Sequence, residues 1–247
     1  MFPPPRFLMR NHWSERWASS IWRGWMRRFG HQFSVQKRFD RLILCDMSDP
    51  VGRAMICKGL WEIRQFEMMD REIAARRGRR KAIFLDIGAQ SGIYSLYFER
   101  FGDFEEIHAF EASPRNQVLL DLHLQMNDLE EAIEVHRVAV SDGPGSIDAA
   151  VFGSAARLRA GDAAIPAVAL DDVLEIEDRF LVVKLDVDGL EDRVIEGMIR
   201  LIEQNHVLMQ IETLPDMKDR VLARLEQLGL EQIGYVPRDD YLFASRS

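Results

Sequence analysis

The stretch Ala82-Ile-Phe-Leu-Asp-Ile-Gly-Ala-Gln-Ser-Gly-Ile-Tyr94 limits the fold more than any other part of this chain. Ala82–Ile87 is an apolar run of strand length with one acid, Asp86, near its end. A turn punctuated by Gly88 and Gly92 follows, and Tyr94–Arg100 reads as a helix. A strand, a glycine turn and a helix set free backbone N–H groups beside a crevice at the carboxyl end of a sheet. Gly88 can take backbone angles that a side chain forbids, and Gly92 lets the chain approach a ligand closely. An acid at the strand end suits a ligand that carries a cation or hydroxyls.

From Ala82 onward, strand and helix alternate. The strands are predicted at Ala82–Ile87, Glu106–Phe110, Ile133–Val140, Phe180–Leu185 and Val207–Ile211. The helices are predicted at Tyr94–Arg100, Pro114–Met126, Leu190–Gln204 and Asp216–Leu228. Continuous apolar strands between helices predict a mostly parallel sheet covered on both faces. Glu231–Val236 and Tyr241–Ala244 flank Pro237-Arg-Asp-Asp240, so the chain is expected to close with an antiparallel hairpin. Residues 143–179 read as an insertion with short strands at Ser146–Phe152 and Ala167–Leu170.

Ahead of this domain, residues 1–58 read as an extension and 59–247 as the catalytic domain. Trp13, Trp17, Trp22 and Trp25 fall on one broad face of a helix over residues 13–29, with Arg16, Arg23 and Arg27 opposite. Such a helix docks either on an anionic membrane surface or on protein, including a second copy of the chain. Arg41–Asp46 and Val51–Lys58 are predicted to form a short hairpin, and Leu60–Arg77 a helix. Residues 1–40 carry a net charge of +6, against −14 for the remainder. An acidic body argues against a nucleic-acid partner. Cys45 and Cys57 show neither metal-ligand spacing nor a disulfide framework and read as thiols of a reducing compartment. The six histidines show no metal-like spacing, so no metal site is expected. A cytoplasmic location follows, at the inner face of a membrane if the Trp-rich helix docks there.

Ligands of open α/β sheets sit outside the carboxyl ends of the strands. The first strand brings Asp86, Gly88, Gln90 and Gly92 there. The second brings Glu111, roughly 20 residues past the glycines, where a ribose-binding carboxylate is expected. The third brings Ser141 and Asp142, suited to an adenine amine. The fourth brings Lys184, Asp186, Asp188 and Glu191, and the fifth Glu212. Acids at successive strand ends repel one another unless a cation or hydrogen-bond donors lie between them. A dinucleotide wants Gly-x-Gly-x-x-Gly, whereas the spacing here is Asp-x-Gly-x-x-x-Gly. S-adenosylmethionine (SAM), with its sulfonium, amino acid end, ribose and adenine but no phosphate, fits the acid-rich crevice better.

These segments resemble the FkbM family of SAM-dependent methyltransferases. The resemblance rests on Phe84-Leu-Asp-Ile-Gly-Ala-Gln-Ser-Gly-Ile-Tyr-Ser-Leu96, Ala109-Phe-Glu-Ala-Ser-Pro114, Ala139-Val-Ser-Asp142, Ala169-Leu-Asp-Asp172 and Val183-Lys-Leu-Asp-Val-Asp-Gly-Leu-Glu191. It covers about residues 57–212. It implies a class I, Rossmann-like α/β fold with an antiparallel C-terminal hairpin, and O-methylation of a hydroxyl on a sugar, glycolipid or related natural product. It also implies that Asp86, Gly88 and Gly92 hold the methionine end of SAM, Glu111 the ribose and Asp142 the adenine, with Lys184, Asp186 and Glu191 on the reaction side. Two positions depart from the family pattern. Gln90 stands where Asn is usual, and Asp188 where Glu is usual. Asp186 and Asp188 are the candidate bases, with Lys184 holding the acceptor oxygen or tuning the acids. A SAM-binding scaffold without activity is the alternative reading, and an NAD-binding oxidoreductase a more distant one.

Overall fold

A computed structural model of the chain describes residues 32–47, 50–59, 61–78, 80–147, 164–237 and 240–246. The Trp-rich segment 13–29 lies outside the described residues. The chain divides into two compact units, Met1–Ile63 and Arg64–Ser247.

In the first unit, β1 (Phe33–Arg38) pairs antiparallel with β2 (Arg41–Asp46), followed by helix α1 (Pro50–Lys58). This corrects the hairpin expected from Arg41–Asp46 and Val51–Lys58. The strand before Arg41 escaped notice because its loop is Phe39-Asp40, both at positive φ (36° and 64°), without the Asn-Gly or Asp-Gly that announces such turns. Residues 50–58 are helical because Pro50 opens the segment, and a proline is at home in a first helical turn. Ala54, Met55 and Ile56 are buried within it. Cys45 is buried.

The second unit is built on a seven-stranded sheet. Its strands are β3 (Ala82–Ile87), β4 (Phe104–Phe110), β5 (Glu134–His136), β9 (Phe180–Leu185), β10 (His206–Glu212), β11 (Leu230–Val236) and β12 (Asp240–Ser245), in the order β11-β12-β10-β9-β3-β4-β5. The central strands β10, β9, β3, β4 and β5 run parallel, and β12 is antiparallel to both neighbours. This is the mostly parallel α/β sheet with an antiparallel closing hairpin that the sequence predicts. Strand order reverses between β3 and β9, so a crevice opens at their carboxyl ends.

Alternation along each strand divides the core into two faces. Ile83, Leu85 and Ile87 of β3 and Leu181, Val183 and Leu185 of β9 point to one face. There they pack with helices α6 (Glu191–Glu196), α7 (Ile199–Gln204) and α8 (Lys218–Gln227) through Val194, Ile195, Leu201, Val221 and Leu225. On the other face, Phe84 meets Phe98 of α3 (Ile93–Glu99), and Phe66 of α2 (Ile63–Arg76) stacks on Tyr94 with centroids 4.3 Å apart. Helix α4 (Pro114–Met126) follows β4.

Two further expectations are corrected. Ile133–Val140 is not one strand. Only β5 joins the large sheet, while β6 (Ala139–Val140) joins a three-stranded sheet with β7 (Gly145–Ile147) and β8 (Ile165–Val168). The short helix α5 (Leu170–Val173) follows β8. Leu190–Gln204 is two helices, broken at Gly197-Met198. A Cβ on Gly197 would lie 1.9 Å from the Ser141 carbonyl oxygen, so the break brings the chain against the end of β6. No helix among the described residues is long and apolar enough to cross a membrane.

Candidate active site

The turn after β3 is held by its neighbours. The Gly88 and Ala89 N–H groups both donate to the Phe110 carbonyl, at 3.0 and 2.9 Å. Gly88, Gln90 and Gly92 all have positive φ (80°, 53° and 76°). Gln90 takes a conformation that costs a long side chain more than it costs Asn. A Cβ on Gly88 would lie 1.8 Å from the Asp186 carbonyl oxygen, so the bare glycine lets the end of β9 cross directly beside the turn.

Glu111, just past β4, reaches into the same turn. Its Oε2 accepts the Gln90 N–H (2.7 Å), and its Oε1 accepts from Ser113 N–H (2.7 Å) and Asn116 Nδ2 (3.3 Å). Burial pushes the carboxyl up to about 7 despite these donors. Asp86 lies one layer deeper, beneath the turn rather than at the crevice surface. Its Oδ2 accepts from the Ser95 hydroxyl (2.6 Å) and backbone N–H (3.0 Å), which ties β3 to α3. Burial raises its pKa, and the charge of Lys184 on the neighbouring strand works against the rise.

Lys184 is buried on β9 in register with Asp86 and with Gln210 of β10. Its Nζ donates to Asp186 Oδ2 at 2.7 Å and lies 5.3 Å from the centre of the Tyr94 ring. Gln210 Nε2 donates to the Tyr94 hydroxyl (3.1 Å) and to Asp240 Oδ1 (3.1 Å), whose Oδ2 accepts from Gln65 Nε2 (2.8 Å). A polar row thus crosses an otherwise apolar sheet face. The sequence reading missed Gln210, Asp240 and Tyr94. The available signal was a lone polar residue inside each of the apolar strands Phe180–Leu185 and His206–Glu212.

Beyond β9 the chain turns through Asp188 (φ 52°) and Gly189 (φ 105°). Asp188 opens to solvent on one side. Desolvation on its inner side, then the Asp186 charge, raise its pKa. Glu191 is buried at the start of α6. Its Oε1 accepts the Gly189 N–H (2.9 Å), while its buried Oε2 has no hydrogen-bond partner among the described residues. Its pKa is raised, chiefly by burial. At the end of β6, Ser141 donates from Oγ to Asp142 Oδ1 (3.0 Å), and Arg193 of α6 grips the same oxygen from Nε (3.1 Å) and Nη2 (2.6 Å). That guanidinium holds the Asp142 carboxyl below its ordinary range. Glu212 ends β10 opposite Asp240.

The residues read from the sequence therefore fall at or just past the carboxyl ends of β3, β4 and β9 of the large sheet and of β6 of the small one. Asp86 supports the turn after β3 from below, and Asp142 is already engaged by Arg193. The Gly88–Gly92 turn and Glu111, joined by the Gln90 N–H bond, are the residues that could hold a cofactor. Lys184, Asp186, Asp188 and Glu191 form a second, charged group able to move a proton.

The chain is similar to solved structures at low identity. A FkbM methyltransferase from Methylobacillus flagellatus KT is 18% identical, with TM-score 0.45, over 67% of this chain and 43% of that one. The precorrin-6y C5,15-methyltransferase of Geobacter metallireducens GS-15 is 15% identical, with TM-score 0.44, over 73% of this chain and 89% of its own. The Aeropyrum pernix fibrillarin with natively bound S-adenosyl-L-methionine is 16% identical, with TM-score 0.38, over 67% and 66%. No curated protein matches. The methyltransferase FkbM domain matches residues 86–235, more than half the chain and every strand end just described, and the chain belongs to that methyltransferase family.

Proposed function

We propose that this chain transfers a methyl group from SAM to a hydroxyl oxygen of a small-molecule acceptor, a sugar, glycolipid or related natural product. The observation that supports the reading is the close approach of Gly88 to the Asp186 carbonyl, which sets the turn that Glu111 holds beside the Lys184–Asp186 pair. The donor chemistry fits SAM. Glu111 is a buried carboxylate whose hydrogen bonds leave burial only partly offset. Two ribose hydroxyls would supply the missing donors. Glu191 Oε2 is a second buried acceptor in want of a donor. When bound, SAM supplies a methyl group on a sulfonium, open to in-line displacement by an oxygen nucleophile.

The residues divide the remaining work. Glu111 and the turn orient the cofactor, so that positioning supplies much of the rate. Asp188 takes the hydroxyl proton, since it is open to solvent and burial raises its pKa, while Asp186 is held in a 2.7 Å ion pair with Lys184. Lys184 holds Asp186, and Glu191 accepts a hydrogen bond from the acceptor. Segment 13–29 is the proposed docking element, for a membrane surface or a second copy.

Calorimetric titration with SAM, S-adenosylhomocysteine and NAD tests the cofactor. Binding of the two adenosyl ligands, lost in Glu111→Ala, is expected. Binding of NAD alone would overturn the reading. Acceptor class is tested by screening hydroxylated sugars and glycolipids for S-adenosylhomocysteine release. Turnover on amine or carbon acceptors only would refute oxygen as the nucleophile.

A further inference from the structure

At the outer edge of the large sheet, the fold gathers three side chains of metal-ligating type. His108 lies on β4, in register with Glu134 of the edge strand β5. Glu134 and His136 are two residues apart on that strand, so they share its face. We propose that His108, Glu134 and His136 bind a divalent transition metal of the zinc class. This revises the expectation that the histidines cannot group around a metal. Linear spacing concealed the site, because one ligand comes from the neighbouring strand.

The separations of the donor atoms suit such an ion. His108 Nδ1 lies 3.1 Å from His136 Nε2 and 3.3 Å from Glu134 Oε2, and His136 Nε2 lies 3.6 Å from Glu134 Oε1. Ligands bonded to zinc at about 2.0–2.1 Å in a tetrahedron stand about 3.3 Å apart. The set is also supported from behind. Glu106 Oε2 lies 3.0 Å from His108 Nε2. A carboxylate there holds the proton on Nε2 and leaves the Nδ1 lone pair facing the site, the usual carboxylate–histidine–metal arrangement. His136 is stacked on Phe110 at 9° and 4.3 Å, which fixes its ring plane. Two imidazoles and one carboxylate favour zinc, cobalt, nickel or copper over magnesium or calcium. Glu134 is exposed, which leaves a route for the ion and room for water as a further ligand.

The position has a structural consequence. β5 is three residues long and, among the described residues, pairs with β4 alone. The His136 carbonyl accepts the Glu111 N–H at 3.1 Å. A metal bridging β4 and β5 would clamp the strand on which the Glu111 backbone rests.

The test is calorimetric titration of tag-free, chelator-stripped full-length chain with zinc chloride, and separately with cobalt chloride read by visible absorption. One equivalent should bind, with the intense ligand-field bands of low-coordinate cobalt and a zinc-dependent rise in Tm. Glu134→Gln and His136→Ala should each weaken zinc binding at least tenfold and abolish the Tm rise. His206→Ala, which alters an exposed histidine elsewhere, should leave affinity unchanged. Glu134→Gln changes only an exposed side chain, so it keeps the test interpretable if His136→Ala fails to fold. Absence of zinc binding, or equal binding by wild type and Glu134→Gln, would overturn the proposal.

Discussion

Replacing Gly88 by alanine should do more damage than the same change at any other glycine of the cofactor turn. The added Cβ would stand 1.8 Å from the Asp186 carbonyl oxygen and 2.9 Å from its carbon. A comfortable carbon–oxygen contact is about 1.5 Å longer than the first of these, by the usual separation of non-bonded heavy atoms. The obstacle is backbone, so no rotamer change relieves it. The ends of β3 and β9 must move apart, which breaks the 3.0 Å bond from Asp186 N–H to the Ile87 carbonyl. Left-handed φ for a residue with a Cβ costs about 1 kcal/mol. The lost hydrogen bond costs about 1 kcal/mol and the overpacking about 2. Together these come to about 4 kcal/mol, a large share of a domain's stability. Two glycines serve as internal standards. Gly102 also has positive φ, but a Cβ there meets nothing within 4 Å, so Gly102→Ala should cost about 1 kcal/mol. At Gly92 the nearest atom is a Leu120 methyl at 2.3 Å, which can shift, so about 2 kcal/mol is expected. Urea denaturation of the three variants should give the order Gly102, Gly92, Gly88, with SAM binding lost in the last. Gly88→Ala within about 1 kcal/mol of Gly102→Ala would refute the account of how this turn positions Asp186.

Asp188→Asn should lower methyl transfer about a hundredfold or more while SAM affinity stays within about twofold. Unchanged turnover would move the base to Asp186. The Glu111 carboxyl, raised to about 7 in the folded chain, favours the protonated form relative to the unfolded chain. The ligand-free protein should therefore lose stability as pH rises from about 4.5 to 7, by about 3 kcal/mol, a slope that chemical denaturation at fixed pH values would detect and Glu111→Gln would flatten. Ribose hydroxyls favour the ionised form, so SAM should bind more tightly as pH rises to 7, with proton release seen in buffers of different ionisation enthalpy. No proton release at pH 6 would remove Glu111 from ribose binding. Gln210→Leu should destabilise by about 2 kcal/mol in urea, because it strips a buried donor from both Asp240 and the Tyr94 hydroxyl. A neutral result would mean the polar row contributes nothing to folding.

What the sequence made legible depended on whether the signal was local. Ala82–Ile87 and Phe180–Leu185 are apolar on both faces and short, so they read as buried parallel strands, and the structure has them with those bounds. The positions of Gly88, Glu111 and Asp186 just past the strand ends followed, because a parallel sheet brings all its carboxyl ends to one edge. The misreadings share a different cause. Phe39-Asp40 adopts left-handed angles with no glycine to announce them. The break at Gly197 exists because the chain meets Ser141, which is 56 residues away. The Arg193–Asp142 pair and the His108, Glu134, His136 group depend on which strands and helices become neighbours, and no local pattern encodes that.

The buried polar row also decides how charge is distributed at the reaction side. Lys184 is held in the sheet by Asp186 at 2.7 Å and the face of Tyr94, with the Asp86 carboxylate behind it. A buried ammonium without such partners would either shed its proton or stay charged at a high desolvation cost. Its charge is therefore compensated from within, and Asp186 is the group that compensates it. A carboxylate committed in this way makes a poor base, because accepting a proton would give up its 2.7 Å ion pair with Lys184. Asp188, one turn further and open to the crevice mouth, carries no such obligation. Its pKa is raised by burial and then by the Asp186 charge, with the Lys184 charge acting against the rise. Shortening the usual Glu to Asp at this position draws the base back by one methylene, toward its own backbone. On that geometry the chain should favour an acceptor hydroxyl able to enter the crevice deeply, such as an exposed primary or equatorial sugar hydroxyl, over one flanked by bulk. Asp188→Glu should shift that preference among acceptors without changing SAM affinity. Equal relative rates for hindered and unhindered hydroxyls in wild type and Asp188→Glu would refute this assignment.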